Sequence, residues 1–183
     1  MEVRNRRELA KYFNELGFKK GAEIGTASGE YAAFLLQSIP GLELYCIDSW
    51  CTYKEERRMQ RAHQHVTNYE FTKKRFAENK KVHVIKAFSM DAVREFEDES
   101  LDFVYIDGNH SFDYVMRDII EWSRKVRVGG IVSGHDHYHF RRSGVVEAVK
   151  AYTSVHGIKF NLTESREEWK KFDDGEPSFW WVK

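Results

Sequence analysis

At 183 residues the chain is long enough for one hydrophobic core and short for two. Its 29 basic and 29 acidic residues cancel, which removes any global attraction to nucleic acid or an anionic membrane. No apolar run approaches the roughly 20 residues that span a bilayer, and Cys46 and Cys51 alone cannot build a disulfide framework or an all-cysteine zinc site, so both read as free thiols. Residues 1–7 lack the apolar stretch of a secretory signal, which makes a cytoplasmic location the expectation.

In chain order, Leu9, Tyr12, Phe13 and Leu16 recur at helical spacing between charged residues, and Gly17 supplies a stop. Residues 21–25 read as a short strand, followed by a turn of small residues and a helix over 31–37 that Pro40-Gly41 ends. A second strand covers 42–48. The charged, basic-leaning stretch 50–81 reads as partly helical. A third strand (82–87), a short helix (90–96) and a fourth, almost wholly apolar strand (101–107) come next; the fourth is expected at the centre of a sheet. A helix over 114–125, a turn at Gly129-Gly130, a fifth strand (131–134) and a helix over 145–156 complete the alternation. Two further strands, 159–163 and 178–183, are expected to pair as an antiparallel hairpin at one edge. The pattern predicts one domain over 1–183: an α/β, Rossmann-like, doubly wound and mostly parallel sheet of about seven strands, with an antiparallel C-terminal edge and helices on both faces.

In such sheets ligands bind outside the carboxyl ends of the strands. Glu23-Ile-Gly25-Thr26-Ala27-Ser28-Gly29 sets glycines four apart at a strand-to-helix turn, where the backbone can approach a ligand closely. Asp48, ending the second strand, is placed to accept hydrogen bonds from ribose hydroxyls. The turn does not satisfy G-x-G-x-x-G, so an adenosine ligand without a pyrophosphate fits better than NAD. Asp107 ends the central strand, His110 follows three residues later, and His135-Asp136-His137 ends the fifth strand beside it; these groups are expected in one cleft. Carboxylates with imidazoles make an N/O ligand set suited to magnesium or another divalent ion.

Glu23-x-Gly25-x-x-x-Gly29, Asp48, Ile106-Asp-Gly-Asn-His-Ser111 and Gly129-Gly-Ile-Val-Ser-Gly-His-Asp136 together resemble the class I S-adenosylmethionine methyltransferases. They are most similar to the metal-dependent O-methyltransferase-like branch called methyltransferase family 24, over roughly 20–140. The resemblance implies S-adenosylmethionine as cofactor. Glu23, Gly25 and Gly29 would line its methionine part, with Thr26 and Ser28 of the same turn also against the cofactor, Asp48 the ribose, and Ser89 with Met90 the adenine; bridging the cofactor's amino group is the ordinary alternative for Asp107. Ala27 departs from relatives that carry a glycine there, and puts the path of the turn in question. For the metal, the expected ligands are Asp107, Asp136 and His137 (His135 being the alternative histidine), and His110, by its position three residues after Asp107, would take the acceptor's proton. The ordinary alternative for His110 is a helix cap near Ser111.

Segments 50–76 and 137–144 are expected to cover the cleft mouth. Trp50, Tyr53, Tyr69 and Phe71 with Arg57, Arg58 and Arg61, completed by Tyr138 to Arg142, would suit a planar or anionic acceptor, although a solvated amphipathic helix explains the same charges. The expected partner is a small molecule or a sugar-like hydroxyl, not nucleic acid and not a membrane. Phe179, Trp180 and Trp181 read as core and edge-strand packing, and an exposed aromatic edge would leave a homo-oligomer open. An NAD oxidoreductase and a non-catalytic nucleoside-binding domain are the competing readings, since the fold alone does not separate them.

Overall fold

The structure, a computed structural model, describes residues 3–51, 59–140, 143–164 and 175–183, with backbone only for 59–63. Five parallel strands run in the order β3 (Val82–Lys86), β2 (Glu43–Asp48), β1 (Lys20–Ile24), β4 (Leu101–Ile106), β5 (Val126–Gly134). The last two, β7 (Phe179–Val182) and β6 (Asn161–Leu162), continue the sheet, β7 antiparallel to both β5 and β6. Among the described residues six α-helices cover it: α1 (Arg6–Glu15), α2 (Glu30–Ser38), α3 (Met59–Phe76), α4 (Ser89–Ala92), α5 (Phe112–Lys125) and α6 (Val145–Val155).

Alternation along the strands divides the interior into two cores. Ala22, Ile24, Val104, Ile106 and Val132 face one side, against Ala92, Val115, Ile119, Trp122, Val145 and Val149 of α4, α5 and α6. Leu44, Cys46, Phe103, Tyr105 and Ile131 face the other, against Leu9, Phe13, Tyr31, Leu35 and Phe76 of α1, α2 and α3. Each helix presents one apolar stripe; in α5 the buried positions are Val115, Asp118, Ile119, Trp122 and Ser123, at i, i+3, i+4, i+7 and i+8. Asn5 caps α1 by accepting the Glu8 N–H at 2.9 Å.

Two sequence expectations need correction. Gly129-Gly130 is not a turn before the fifth strand but lies inside β5, where the register against β4 shifts between Leu101 and Phe103. Gly129 takes a positive φ of 76° and a Cβ at Gly130 would stand 2.4 Å from the Asp102 carbonyl, so the glycines mark a bulge under close backbone approach. The last two strands pair as the expected antiparallel hairpin at one edge, with β7 between β5 and β6, so Trp181 is buried and β6 terminates the sheet. Finally, the expected 90–96 helix is one α-turn, α4, followed by a 3₁₀ turn over Val93–Glu95.

Candidate functional site

The carboxyl ends of β1, β2, β4 and β5 meet on one rim, tied by backbone bonds that outrun the strands: Gly25 N–H to Ile47 O at 2.8 Å, Asp107 N–H to Ile24 O at 2.7 Å, His135 N–H to Ile106 O at 3.0 Å. The small-residue turn after β1 opens α2, with Gly25, Ala27 and Gly29 at φ of 91°, 49° and 74°. A Cβ on Gly25 would stand 2.0 Å from the Asp107 carbonyl oxygen, so this position has room for glycine alone.

Ala27 answers its own departure from the pattern. A left-handed conformation costs a non-glycine residue roughly 1–2 kcal/mol, and three hydrogen bonds hold it there. Its N–H donates to Asp48 Oδ2 at 2.9 Å, and its carbonyl accepts from Trp50 Nε1 at 2.8 Å and from the Thr72 hydroxyl at 2.9 Å. Arg75 donates to the Gly29 carbonyl at 2.8 Å, and the Phe76 ring lies where a Gly29 Cβ would be. Helix α3 is thus clamped over the turn. Trp50, expected in a lid surface, is buried and spent on this clamp, with its ring against Tyr69 at 4.9 Å and Lys86 over Tyr69 at 4.4 Å. Phe71 is exposed, under Arg75. Tyr53, Arg57, Arg58, Arg141 and Arg142 lie outside the described residues, as does the side chain of Arg61.

Asp48 accepts the N–H groups of Ala27 and Trp50, the latter at 2.7 Å, so it shapes the turn as well as facing the rim. Glu23 is buried on β1, its Oε2 without a hydrogen-bond partner among the described residues; burial pushes its carboxyl up to about 8. Thr26 is buried behind it, its hydroxyl toward the Glu23 carbonyl at 3.4 Å, and Ser28 is half-buried. The Ser89 hydroxyl, just past the end of β3, is engaged with Asp118 and, at 2.7 Å, with Trp122 Nε1; Met90 is half-buried beside the α4–α5 packing.

Asp107, His110 and Asp136 form one group, each with a ligand atom within 4.8 Å of the others. His110 Nε2 lies 2.9 Å from Asp136 Oδ2 and 3.5 Å from Asp107 Oδ1. Burial disfavours the charged ring, but the two carboxylates outweigh it and push His110 up to about 10. Asp136 is likewise held well below the usual carboxylate range, because His110 and His135 overcome the opposing effect of burial. In this arrangement His110 is an imidazolium and has no site for an acceptor's proton at neutral pH. His135, buried, sets Nδ1 3.3 Å from Asp136 and 3.8 Å from Asp107. His137 is not in the group: its backbone bonds the Pro177 carbonyl and its ring packs on Phe160 and Phe179, where burial lowers its pKa. Asp136, at φ 57°, turns the chain between the two histidines and sends their rings apart.

Sequence reasoning missed Arg6. This buried residue of α1 holds its guanidinium 3.9 Å from Asp107 Oδ2 and over the Tyr31 ring at 5.1 Å. The available signal was a basic residue on the face of α1 that also carries Leu9 and Phe13.

A family model described as a methyltransferase domain matches residues 22–137, which include the glycine turn, Asp48 and all of the Asp107, His110, Asp136 group. The chain belongs to this methyltransferase family. No curated protein sequence matches it. Among solved structures, the methyltransferase is similar to an O-methyltransferase from Bacillus cereus in complex with SAH, at 15% identity and a TM-score of 0.65, over 97% of this chain and 80% of that one. A protein from Corynebacterium glutamicum gives a TM-score of 0.65 at 14% identity, with the same coverage of 97% and 80%. Spermidine synthase from Thermotoga maritima gives 0.61 at 13% identity, over 97% of this chain and 58% of that one. At such identities the likeness is one of fold, and a fold shared with a spermidine synthase leaves the chemistry to the site.

Proposed function

We propose that this methyltransferase binds S-adenosylmethionine over the Gly25–Gly29 turn and transfers its methyl group to a hydroxyl of a small or sugar-like acceptor, with a divalent ion at Asp107 and Asp136. One observation carries the reading: the Asp107, His110, Asp136 group stands against the turn itself, since the Asp107 carbonyl occupies the space a Gly25 side chain would need.

The residues fit the cofactor. A turn closed to any Cβ at Gly25 lets a ligand come close to the backbone, and the buried Glu23 Oε2, unpartnered among the described residues, suits an ammonium such as that of the methionine moiety. They also fit a hard divalent ion: two carboxylates and an imidazole within 4.8 Å, without a thiolate. Bound there, S-adenosylmethionine supplies an electrophilic methyl on a sulfonium, and a divalent ion supplies Lewis acidity toward a hydroxyl. The protein's own contribution is positional. Asp48, Trp50 and Thr72 hold the turn in its strained shape, and Arg6 places a fixed positive charge beside Asp107. His110 accepts a proton only where the two carboxylates have another cation to face, because their charge is what keeps it protonated. The aromatic side chains Tyr138 and Phe140, stacked at 4.6 Å with Phe140 edge-on to His110 at 5.6 Å, offer a shelf for a planar acceptor beside that proton.

Calorimetric titration of S-adenosylmethionine, SAH and NAD, with magnesium and after EDTA treatment, tests the reading. Micromolar binding of the sulfonium ligand and its product with none of NAD supports it; no binding of either class refutes it. In a screen of hydroxylated acceptors, His110→Ala is expected to keep cofactor affinity and lose turnover, and Asp136→Asn to lose any dependence on magnesium.

A further inference from the structure

Helix α1 carries a charge in its apolar stripe. Its buried positions are Arg6, Leu9, Ala10 and Phe13, at i, i+3, i+4 and i+7, and Arg6 is 7% exposed. Taking a guanidinium out of water is costly unless charges face it in its buried place. Arg6 finds one at the rim: it lies 3.9 Å from Asp107 Oδ2, the oxygen that His135 Nδ1 also approaches, at 3.8 Å. Asp107 Oδ1 is left to His110, at 3.5 Å. The guanidinium carbon stands over the Tyr31 ring at 5.1 Å, so the charge is held on a ring as well as by a carboxylate.

Tyr31 connects this pair to the glycine turn. It is the second residue of α2, directly after Gly29 and Glu30; its hydroxyl donates to the Arg6 carbonyl at 2.9 Å, and its ring packs on Tyr105 of β4 at 4.4 Å. Asp107, two residues beyond Tyr105, closes the circuit, because its carbonyl stands where a Gly25 Cβ would be. Arg6 therefore touches both the helix that the turn opens and the residue on which the turn packs. Its charge also reaches Glu23, where burial dominates and raises the carboxyl while Arg6 works against the rise. A leucine or methionine at position 6 would fill the apolar stripe and hold none of these groups.

We propose that Arg6 is a positioning residue that holds the Asp107 carboxylate by Oδ2 and, through Tyr31, ties it to the Gly25–Gly29 turn. Cofactor affinity then depends on α1, although Arg6 lies outside the matched residues 22–137. The inference rests on the S-adenosylmethionine reading above.

A double-mutant cycle of Arg6→Met with Asp107→Asn tests the proposal, read by calorimetric titration of SAH in EDTA and by thermal unfolding without ligand. Methionine keeps a packed stem and removes the charge. Arg6→Met is expected to weaken SAH roughly tenfold in the wild-type background and by less than about twofold in Asp107→Asn, where the group it holds has lost its charge. Arg6→Lys, which restores the charge, should recover SAH affinity to within about threefold of wild type. Equal factors in the two backgrounds, the mark of packing alone, would overturn the assignment. So would unchanged SAH affinity on Arg6→Met in the wild-type background. If Arg6→Met does not fold, Arg6→Gln carries the same cycle with a polar, uncharged stem. If wild-type protein binds no SAH, the S-adenosylmethionine reading falls on its own; melting temperatures then decide the tie, additive losses sinking it and non-additive ones supporting it.

Discussion

Glu23→Gln offers the sharpest test of how the site is built. The carboxyl is buried on β1 without a cation in hydrogen-bond contact, and burial carries it from 4.5 to about 8. Between those two values the folded protein keeps a proton that the unfolded chain has released, so stability falls as pH rises through the window. At ~1.4 kcal/mol per unit, a gap of this size corresponds to a loss on the order of 4–5 kcal/mol, complete by about pH 8 and absent below 4.5. The amide cannot ionise and keeps the shape. Thermal unfolding from pH 4 to 9 should therefore show wild type and variant melting together at the acid end and separating as pH rises. The variant should be more stable by roughly 10–20 °C above pH 8, at about 2–4 °C per kcal/mol for a chain of this length. Asp118, raised to about 7 by burial, slopes the same way but is common to both proteins and cancels in the difference. Parallel melting curves would show that Glu23 is not buried as an acid, and would remove the argument that it waits for a ligand ammonium.

Gly25→Ala puts a methyl 2.0 Å from the Asp107 carbonyl at φ 91° and should cost several kcal/mol in chemical denaturation, whereas Gly17→Ala, at φ 75° with open space around it, should cost about 1 kcal/mol. Thr72→Val removes one of three bonds on Ala27 without changing volume; SAH affinity is expected to fall about five- to tenfold, with a smaller change in melting temperature than Gly25→Ala causes. Asp102 accepts the Lys19 and Lys20 N–H groups and Arg127 Nε, at 2.6, 2.9 and 2.7 Å, and these contacts overcome partial burial to hold its pKa below the ordinary value. Its contribution is present above that ordinary value and lost as pH falls through the depressed one, so Asp102→Asn should flatten the acid limb of the stability curve.

What was legible in the sequence was whatever repeats or punctuates. The strand and helix periods gave the sheet, and two glycines four apart marked a turn where a side chain would collide with Asp107 at Gly25 and with Phe76 at Gly29. Contacts between distant elements were not legible. Nothing in Gly129-Gly130 says bulge rather than turn, because both need the same backbone freedom. His135 and His137 look equivalent beside Asp136, and only its left-handed φ of 57° decides which ring faces Asp107. The bond from the Ser89 hydroxyl to Asp118 on α5, a partner 29 residues away, left no mark in the sequence. Asp118 itself had a signal, an acid where the helical period calls for an apolar residue.

The placement of Asp107 explains why these parts form one site. Its N–H binds the end of β1, its carbonyl sits in the space left by Gly25, and its carboxylate faces Arg6, His110 and His135. Backbone and side chain thus serve the turn and the polar group at once, and neither can shift without the other. Arg6 extends this coupling beyond the matched residues 22–137 to α1, which Asn5 caps and whose Arg6 carbonyl accepts the Tyr31 hydroxyl at 2.9 Å. A guanidinium cannot shed its charge and is fixed here by burial, so it adds a permanent positive charge beside Asp107 to that of the His110 ring. The N-terminal helix therefore contributes to the electrostatics of the Asp107, His110, Asp136 group and is not only a cover for the sheet.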